Sequence, residues 1–316
     1  MSINQSDKIN LAAVVGPTAS GKTALAVSLA LSLCGEVVSC DSMQIYSGME
    51  IATAAPTMEE MRGVPHHFVS CFPASERFSV AKYCSLAHGR IREISERGKL
   101  PILCGGTGLY YSSLTENLSF AEVPADDALR RELKAQYSEL GGEYLLAKLG
   151  EFDSETAALL HPNQEDKIIR AIEIYTLGGI TISEQKRRSR ENPPPYRVRT
   201  VGLTYRNRAT LYERINRRVD LMIEQGLVKE AEQMLKNCDM TTAAGAIGHK
   251  ELIPYLRGEI PLSAAADKIK MESRRYAKRQ LTWFRRRENI HWLYREDFSS
   301  DEQLSEAARE IITAPL

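Results

Sequence analysis

Short apolar runs alternate with amphipathic stretches along the first hundred residues. Residues 11–15 form an apolar run that ends in a glycine loop, and a helical stretch follows that loop. Residues 36–40 and 100–104 are two further apolar runs. Residues 80–97 place apolar side chains at steps of three and four, which is the spacing of an amphipathic helix, and Gly98 ends it. Strands that alternate with helices predict an α/β fold with a parallel sheet.

The pattern becomes helical between residues 118 and 190. Three consecutive prolines at 193–195 then form a stiff break. Residues 197–203 alternate like a strand, so we expect the sheet to resume there. The rest of the pattern is helical, with one apolar face along 211–222 and a long helix predicted over 263–287.

These elements predict two domains. Residues 1–117 and 195–316 form a sheet core with C-terminal helices, and residues 118–194 form a mostly helical insertion domain. Ligands of open parallel sheets bind at the carboxyl ends of the strands. The glycine loop after the first strand, Asp41 after the second and Thr107 after the third should therefore meet in one cleft.

The composition of the chain excludes several classes of protein. The chain has 316 residues, of which 43% are hydrophobic and 26% charged, which excludes a disordered or collagen-like chain. No apolar run approaches the length of a membrane span, and the N-terminus lacks the apolar region of a signal peptide. The six cysteines include no CxxC pair, so we expect free thiols and a cytoplasmic protein.

The charge is zero overall but not locally. Lys plus Arg and Asp plus Glu each number 41, which by itself argues against a generally basic nucleic-acid binder. However, residues 116–166 carry twelve acidic and four basic side chains, 186–218 carry eleven basic and two acidic, and 268–287 carry nine basic and one acidic. A charge run is usually a solvated face. The basic segments nevertheless favour a polyanionic partner with a phosphate backbone.

Residues 16–23 read GPTASGKT and fit the phosphate-loop pattern G-x4-G-K-[ST], with the required strand before and helix after. The glycines let backbone N–H groups turn inward, and the helix N-terminus adds partial positive charge. Lys22 adds a full charge, and the Thr23 hydroxyl can ligate Mg²⁺. The alternative is a plain glycine turn with a surface lysine. The candidate phosphate-binding residues are Gly16, Thr18, Ala19, Ser20, Gly21, Lys22 and Thr23.

A kinase or ATPase normally carries an apolar strand ending in a magnesium-binding aspartate. The third strand ends instead in Gly105-Gly106-Thr107-Gly108, and Asp41 is the acid that ends the second strand. Asp41 is either a substrate-facing group or a turn-capping aspartate. The glycines around Thr107 either allow a ligand to approach or form a plain turn.

Metal binding by histidine is not favoured. His66 and His67 are adjacent, so on a strand their rings point to opposite sides, and no cysteine or carboxylate lies nearby at ligand spacing. His161 and His249 are isolated. Loop or structural roles are the better interpretation for all of them.

These residues belong to a longer series of segments through which the chain resembles the bacterial tRNA dimethylallyltransferases, also called tRNA isopentenyltransferases. The match covers most of the chain in order and is far more specific than the phosphate loop alone. The matching segments are GPTASGKT at 16–23, DSMQIYSGMEIATA at 41–54, VPHH at 64–67, FSVAKY at 78–83, GGTGLY at 105–110, HPN at 161–163, IIRAIEIY at 168–175, LYERINRRVDLMIEQGLVKE at 211–230, IGHKEL at 247–252 and YAKRQLTWFRR at 276–286.

The resemblance implies a P-loop NTPase-like core, as in ATP-binding proteins, with a helical insertion. It also implies an activity: transfer of the dimethylallyl group from dimethylallyl diphosphate to N6 of adenine 37, beside the anticodon, in tRNAs that read codons beginning with U. In this interpretation the loop holds a diphosphate leaving group with Mg²⁺. This explains the missing acid on the third strand.

By resemblance, Asp41 is the base that removes an N6 proton, and Thr107 hydrogen-bonds near the bridging oxygen of the diphosphate. Arg218 matches the family's arginine near the diphosphate, with Arg217 as the neighbouring candidate. The residues expected to contact the tRNA anticodon stem-loop are Asp41, Ser42, Met43, Gln44, Asp166, Lys167, Arg170, His249, Lys250, Lys278 and Arg279.

The chain departs from the family pattern at 54–57, 164–167 and 248–250, where it reads AAPT, QEDK and GHK. These positions lie mostly at inferred tRNA contacts, so they bear on tRNA affinity or choice more than on chemistry.

Three other functions stay open from the residues alone. One is a P-loop kinase of a nucleotide or small metabolite, and another is an adenylate isopentenyltransferase that modifies a free nucleotide. The third is a non-catalytic RNA-binding protein. We expect a monomer.

Overall fold

The computed structural model describes residues 8–118, 123, 126–191, 193–237 and 242–315. These residues form two compact units, the first made of Met1–Leu114 with Pro195–Leu316 and the second of Thr115–Pro194. We propose that the units are the core and the insertion domain of the sequence analysis.

The first unit is built on a parallel sheet of six strands in the described chain, in the order β4-β2-β6-β1-β7-β8. A two-stranded sheet pairs β3 with β5. The strands are β1 (Ile9–Val15), β2 (Gly35–Ser39), β3 (Tyr46–Ser47), β4 (His66–His67), β5 (Phe72–Pro73), β6 (Leu100–Gly105), β7 (Tyr196–Thr204) and β8 (Ile290–Tyr294). The predicted α/β class with a parallel sheet is confirmed.

Helices make up most of the remaining described chain. In chain order they are α1 (Lys22–Ser32), α2 (Glu50–Thr53), α3 (Met58–Met61), α4 (Val80–Glu96), α5 (Gly108–Thr115), α6 (Asp127–Leu140), α7 (Gly142–Gly150), α8 (Ser154–Leu159), α9 (Glu165–Gly178), α10 (Ile182–Glu191), α11 (Arg208–Glu224), α12 (Leu227–Asn237), α13 (His249–Leu256), α14 (Leu262–Phe284) and α15 (Asp301–Thr313). Short 3-10 turns lie at Thr242–Gly245 and Arg295–Asp297.

The predicted helix faces are the buried faces. On α4 the inward side chains are Tyr83, Cys84, Ala87, Ile91 and Ile94, and on α11 they are Leu211, Ile215, Val219 and Met222. The central strands are buried along most of their length, and α1 and α15 pack on the same core cluster. A strand covered on both sides is apolar throughout rather than alternating.

Several elements went unpredicted, among them β8, α15 and the short strand β4. β8 and α15 extend the sheet and its cover, but β8 is a short, half-buried edge strand with little apolar periodicity. His66–His67 is an edge strand whose rings have structural partners: His66 Nδ1 lies 2.8 Å from the Val64 carbonyl, and His67 Nε2 lies 2.7 Å from a Glu36 oxygen. The structural interpretation of both histidines is confirmed.

The second unit, taken by itself, is helical, and its described residues contain no strand. Its core joins α6, α7 and α9. Within it, Glu173 is fully buried and accepts hydrogen bonds from Arg130 and Arg170 and from the Asp126 backbone N–H. Burial acts to raise the pKa of Glu173, but these hydrogen bonds outweigh it and hold the pKa below its ordinary value. The carboxylate is therefore a structural anchor.

Among the described residues, no helix is both long enough and apolar enough to span a membrane. The cysteines described in the structure are free thiols, as expected from their spacing.

Candidate active site

The carboxyl edge of the sheet opens into a cavity of about 280 Å³. Because β1, β2 and β6 run parallel, the chain leaves the sheet on this side after each of them. The phosphate loop follows β1 and Asp41 follows β2, and both line the cavity. The expected convergence is thus present for the loop and Asp41, whereas Thr107 does not line the cavity and instead bonds to Ser42, next to Asp41.

The phosphate loop has the backbone that its glycines allow. A side chain at Gly16 would place a Cβ 2.3 Å from the Leu203 carbonyl oxygen, so the loop can pass close to β7 only with glycine there. Gly21, with φ of 93°, turns the chain directly into α1. Ser20 is 1% exposed, and its hydroxyl has no hydrogen-bond partner among the described residues, which suits a group that meets a bound anion.

Positive charge is concentrated beside this loop. Burial lowers the pKa of the Lys22 ammonium, while neighbouring Cys104 and Asp41 act in the opposite direction. Burial also lowers the pKa of the Arg218 guanidinium, which Asp41 again opposes. Arginine remains charged in proteins, so the cavity has at least one fixed cation.

The structure separates Arg218 from Arg217. Arg218 is partly buried and lines the cavity, whereas Arg217 is exposed. Arg218 lies three residues after Ile215 and four before Met222, so it continues the buried face of α11. That helical phase was already present in the sequence and would have resolved the choice.

Asp41 has both of the features that the sequence left as alternatives. Its Oδ1 accepts hydrogen bonds from the backbone N–H groups of Met43, at 3.0 Å, and Gln44, at 3.3 Å, so it holds a turn. It also lines the cavity with Lys22 and Arg218. Among the described residues, no group donates a hydrogen bond to its second oxygen, which leaves that oxygen available to a ligand.

Thr107 braces this turn. Its Oγ1 accepts a hydrogen bond from the Ser42 backbone N–H at 3.0 Å and donates one to the Ser42 hydroxyl at 3.3 Å. Its own N–H donates to the Cys40 carbonyl at 3.1 Å. The Thr107 hydroxyl is thus joined to the loop that carries Asp41.

Apolar side chains form part of the remaining cavity wall. They come from the short helix after Asp41, from α11, from the segment before α13 and from α14. The side chains are Ala52, Ala54, Ile215, Val219, Met222, Ala246, Ile247 and Ile269. The cavity therefore joins a cationic, oxygen-binding end to an apolar wall.

Helix α14 supplies two cavity residues that sequence reasoning missed, Tyr276 and Gln280. Burial raises the pKa of the Tyr276 phenol, and the nearby Asp41 carboxylate raises it further. Both residues belong to the matching segment 276–286, but the hydrogen-bond partners of Gln280 lie more than 160 residues away in sequence, so no local pattern identifies its role.

His249 was predicted to contact tRNA, but the structure buries it to 2% exposure. Its Nε2 lies 2.9 Å from a Glu230 oxygen, and the Glu230 carboxylate also accepts the backbone N–H groups of Ile51, at 2.7 Å, and Ala52, at 2.9 Å. The ring therefore has almost no surface to offer RNA, and it joins α12, α13 and the start of α2. Adjacent Lys250 is exposed and lines the cavity.

Ser42, Met43 and Gln44 line the cavity as well. The side-chain N–H groups of Gln44 already have partners within the protein, since they donate to the carbonyls of Thr53 at 3.3 Å and Ala54 at 3.0 Å.

The two basic candidates on α14 differ. Arg279 is exposed and borders the cavity, whereas exposed Lys278 lines a separate, small groove with Arg208 and Arg285.

The remaining candidates lie in the second unit. Asp166 and Lys167 are exposed in the first turn of α9. Arg170 is held internally by Glu173, at 2.5 Å, and by the Val123 carbonyl, at 3.1 Å.

The described residues contain no cluster of three or more His, Cys, Asp or Glu side chains able to hold a metal ion. The cavity does offer the Thr23 hydroxyl and the Asp41 carboxylate, and these are the hard oxygen donors that Mg²⁺ accepts when phosphate and water complete its shell. The residues therefore fit a magnesium ion that arrives with a diphosphate.

A family model, proteins of known function and solved structures all show which family this chain resembles. A model of the IPP transferase family matches residues 44–287. A tRNA dimethylallyltransferase from Acetivibrio thermocellus is 46% identical over 297 residues, which cover 93% of this chain and 95% of that protein. One from Bacillus subtilis is 44% identical over 302 residues, covering 95% and 94%.

Solved structures agree. The crystal structure of the full-length tRNA isopentenylpyrophosphate transferase from Bacillus halodurans is 44% identical, covers 96% of both chains and has a TM-score of 0.72. The corresponding enzyme from Staphylococcus epidermidis is 38% identical, with coverage of 95% and 97% and a TM-score of 0.69. The chain belongs to the tRNA dimethylallyltransferase family.

Proposed function

We propose that this protein transfers the dimethylallyl group from dimethylallyl diphosphate to N6 of adenine 37 in tRNAs that read codons beginning with U. One observation carries the proposal: a single cavity combines the phosphate loop, Asp41 and an apolar wall. Each of these suits one part of the reaction, namely the leaving diphosphate, the nucleophile and the transferred group.

The phosphate loop holds the leaving group. Negative charge accumulates on the diphosphate as the allylic C–O bond breaks. The N–H groups at the start of α1, the Lys22 ammonium and the Arg218 guanidinium oppose that charge without needing to reorganise. Mg²⁺ would be held by the Thr23 hydroxyl and diphosphate oxygens, and when bound it supplies further positive charge.

Asp41 activates the nucleophile. Adenine N6 is weak because its lone pair is delocalised into the ring, so attack on the allylic C1 benefits from removal of an N6 proton. The carboxylate accepts that proton through the oxygen that the turn does not use. Thr107 positions this carboxylate by holding Ser42, in addition to any contact with the diphosphate.

The apolar wall receives the dimethylallyl chain. Contact with Val219, Met222 and Ile269 keeps water from the reacting carbon, which otherwise competes with N6 for the allylic group. The adenine must leave its stack in the anticodon loop to enter the cavity. Exposed Lys250 and Arg279 at the cavity are suited to the RNA backbone. We further propose that the protein acts as a monomer in the cytoplasm.

The test is direct. Purified protein is incubated with dimethylallyl diphosphate, Mg²⁺ and an unmodified tRNA that contains A36-A37-A38, and the digested RNA is analysed by mass spectrometry. We expect N6-isopentenyladenosine at position 37, and no product from a matched tRNA with guanine at 37. Phosphorylation of a metabolite by ATP, with no prenylated nucleoside on any such tRNA, would establish the kinase alternative instead.

A further inference from the structure

The buried side-chain amide of Gln280 bonds to the phosphate loop on one side and to the loop after β6 on the other. Gln280, four residues before the end of α14, is 4% exposed. Its Oε1 accepts a hydrogen bond from the Thr18 backbone N–H at 2.8 Å, and its Nε2 donates one to the Gly106 carbonyl at 3.0 Å. Burying an amide is costly unless its polar atoms are bonded, so these two contacts hold the side chain in one place.

The amide also fills the space beside the Gly106 backbone. A Cβ at Gly106 would lie 2.0 Å from the Gln280 nitrogen, and it would lie 3.3 Å from the Gly16 carbonyl oxygen. One turn away on the same helix, Tyr276 lines the same cavity. The amide is therefore a fixed part of the cavity wall.

The position of Gln280 decides which donors of the phosphate loop can meet an anion. The N–H groups of Gly21, Lys22 and Thr23 begin α1, where backbone donors have no partner within the helix. These N–H groups and the Lys22 ammonium are available. The Thr18 N–H, toward the beginning of the loop, is already bonded to Gln280.

We infer that Gln280 restricts the phosphate loop to a chain of two phosphates. A diphosphate is served by the donors at the start of α1 together with Lys22 and Arg218. A third phosphate that extends back along the loop meets the Thr18 N–H already bonded to Gln280, and it meets the Gln280 side chain held by its two hydrogen bonds. The chain thereby carries a nucleotide-binding motif yet selects against a triphosphate. The inference rests on the proposed diphosphate site.

The experiment uses inorganic anions, so that neither the prenyl group nor RNA contributes. Calorimetric titration in Mg²⁺ buffer gives Kd for pyrophosphate and for tripolyphosphate. The intact wild-type protein should prefer pyrophosphate by about tenfold or more, because the third phosphate of the longer anion loses water without gaining the Thr18 N–H as a donor. In Gln280→Ala we expect this preference to fall to about twofold or less, since both the donor and the space are released.

Two further variants keep the test decisive. Gln280→Met retains the buried volume and removes both hydrogen bonds, so it replaces the alanine variant if that one fails to fold, and its preference should fall at least about threefold. Thr282→Ala is the control, because its hydroxyl bonds only to the Lys278 carbonyl of its own helix. It should keep the wild-type preference.

The outcomes separate the two claims. If the wild-type protein binds neither anion, the proposed function fails and the inference fails with it. If it binds pyrophosphate but shows no preference, or if both folded Gln280 variants keep the preference, the inference alone is overturned. A purely structural Gln280 would lower the thermal stability of the variants and leave the ratio of the two Kd values unchanged.

Discussion

The two ends of β2 each carry a carboxylate, and the two carboxylates have opposite surroundings. Glu36, near the amino end, is 3% exposed and is bonded to His67, Arg97 and Lys99 at 2.7–2.9 Å. Asp41, just past the carboxyl end, lines a cavity and has one oxygen bonded to two backbone N–H groups. The protein neutralises the Glu36 carboxylate with its own side chains, and it leaves one oxygen of the Asp41 carboxylate open to a ligand.

The electrostatics of Glu36 follow from its partners. Burial acts to raise its pKa, but the hydrogen bonds from His67, Lys99 and Arg97 outweigh this effect and lower the pKa to about 2. Both oxygens are occupied, so Glu36 has nothing to offer a ligand. It joins β4 and the end of α4 to β2, which is a contribution to stability.

Asp41 shows the reverse. Lys22 and Arg218, whose pKa values the Asp41 carboxylate raises, line the same cavity as Asp41. A carboxylate placed in this way is suited to receive a proton from a substrate. The difference between the two ends predicts that substitutions at Asp41 and Glu36 affect different properties of the protein.

The largest effect is expected from Asp41→Ala. Loss of the base and of the turn should lower the rate of dimethylallyl transfer by about 10²–10⁴-fold. Affinity for tRNA, measured by filter binding, should change far less. Transfer at more than about a tenth of the wild-type rate would exclude Asp41 from proton removal.

Glu36→Gln should act on stability instead. It leaves Arg97 and Lys99 without their buried charge partner, which we expect to lower the free energy of unfolding by about 2–3 kcal/mol. The value is below that of a fully buried pair because both cations are more than 40% exposed. Urea unfolding provides the measurement, and the folded variant should transfer at the wild-type rate. A stable variant with reduced transfer would contradict the comparison.

The lowered pKa of Glu36 also predicts that the stability of the protein depends on pH. A carboxyl pKa lowered from 4.5 to about 2 contributes stability above pH 4.5 that is lost as the pH falls toward 2. The difference in unfolding free energy between wild type and Glu36→Gln should therefore narrow as the pH is lowered from 6 to 3. A difference that stays constant over this range would mean that Glu36 is not held ionised by its partners.

A smaller effect is expected at two neighbouring arginines, Arg217 and Arg218, whose substitutions should change KM to different extents. Arg218→Ala removes a cation from the cavity and should raise KM for dimethylallyl diphosphate by about tenfold or more. The exposed Arg217→Ala is the matched control and should stay within about twofold. Steady-state kinetics provide the measurement. If both substitutions raise KM equally, Arg218 has no specific role in binding the diphosphate.

Features fixed by short segments could be predicted from the sequence. The phosphate loop, the apolar strands and the buried face of α4 depend on neighbouring residues, so their patterns predict them directly. Gln280 could not be predicted as a loop contact, because its role depends on Thr18 and Gly106 coming together with α14 across the fold. His249 shows the same limit, since its burial depends on Glu230 of another helix.

The most direct test of the account is Asp41→Asn. Asparagine keeps the Oδ1 that accepts the Met43 and Gln44 N–H groups, so the turn is preserved, but it does not take up a proton from N6. Single-turnover transfer is measured by rapid quench with saturating dimethylallyl diphosphate and unmodified tRNA. We predict a rate lowered by at least about 10²-fold with tRNA binding unchanged. Transfer at the wild-type rate would contradict the account and leave Asp41 as a turn residue only.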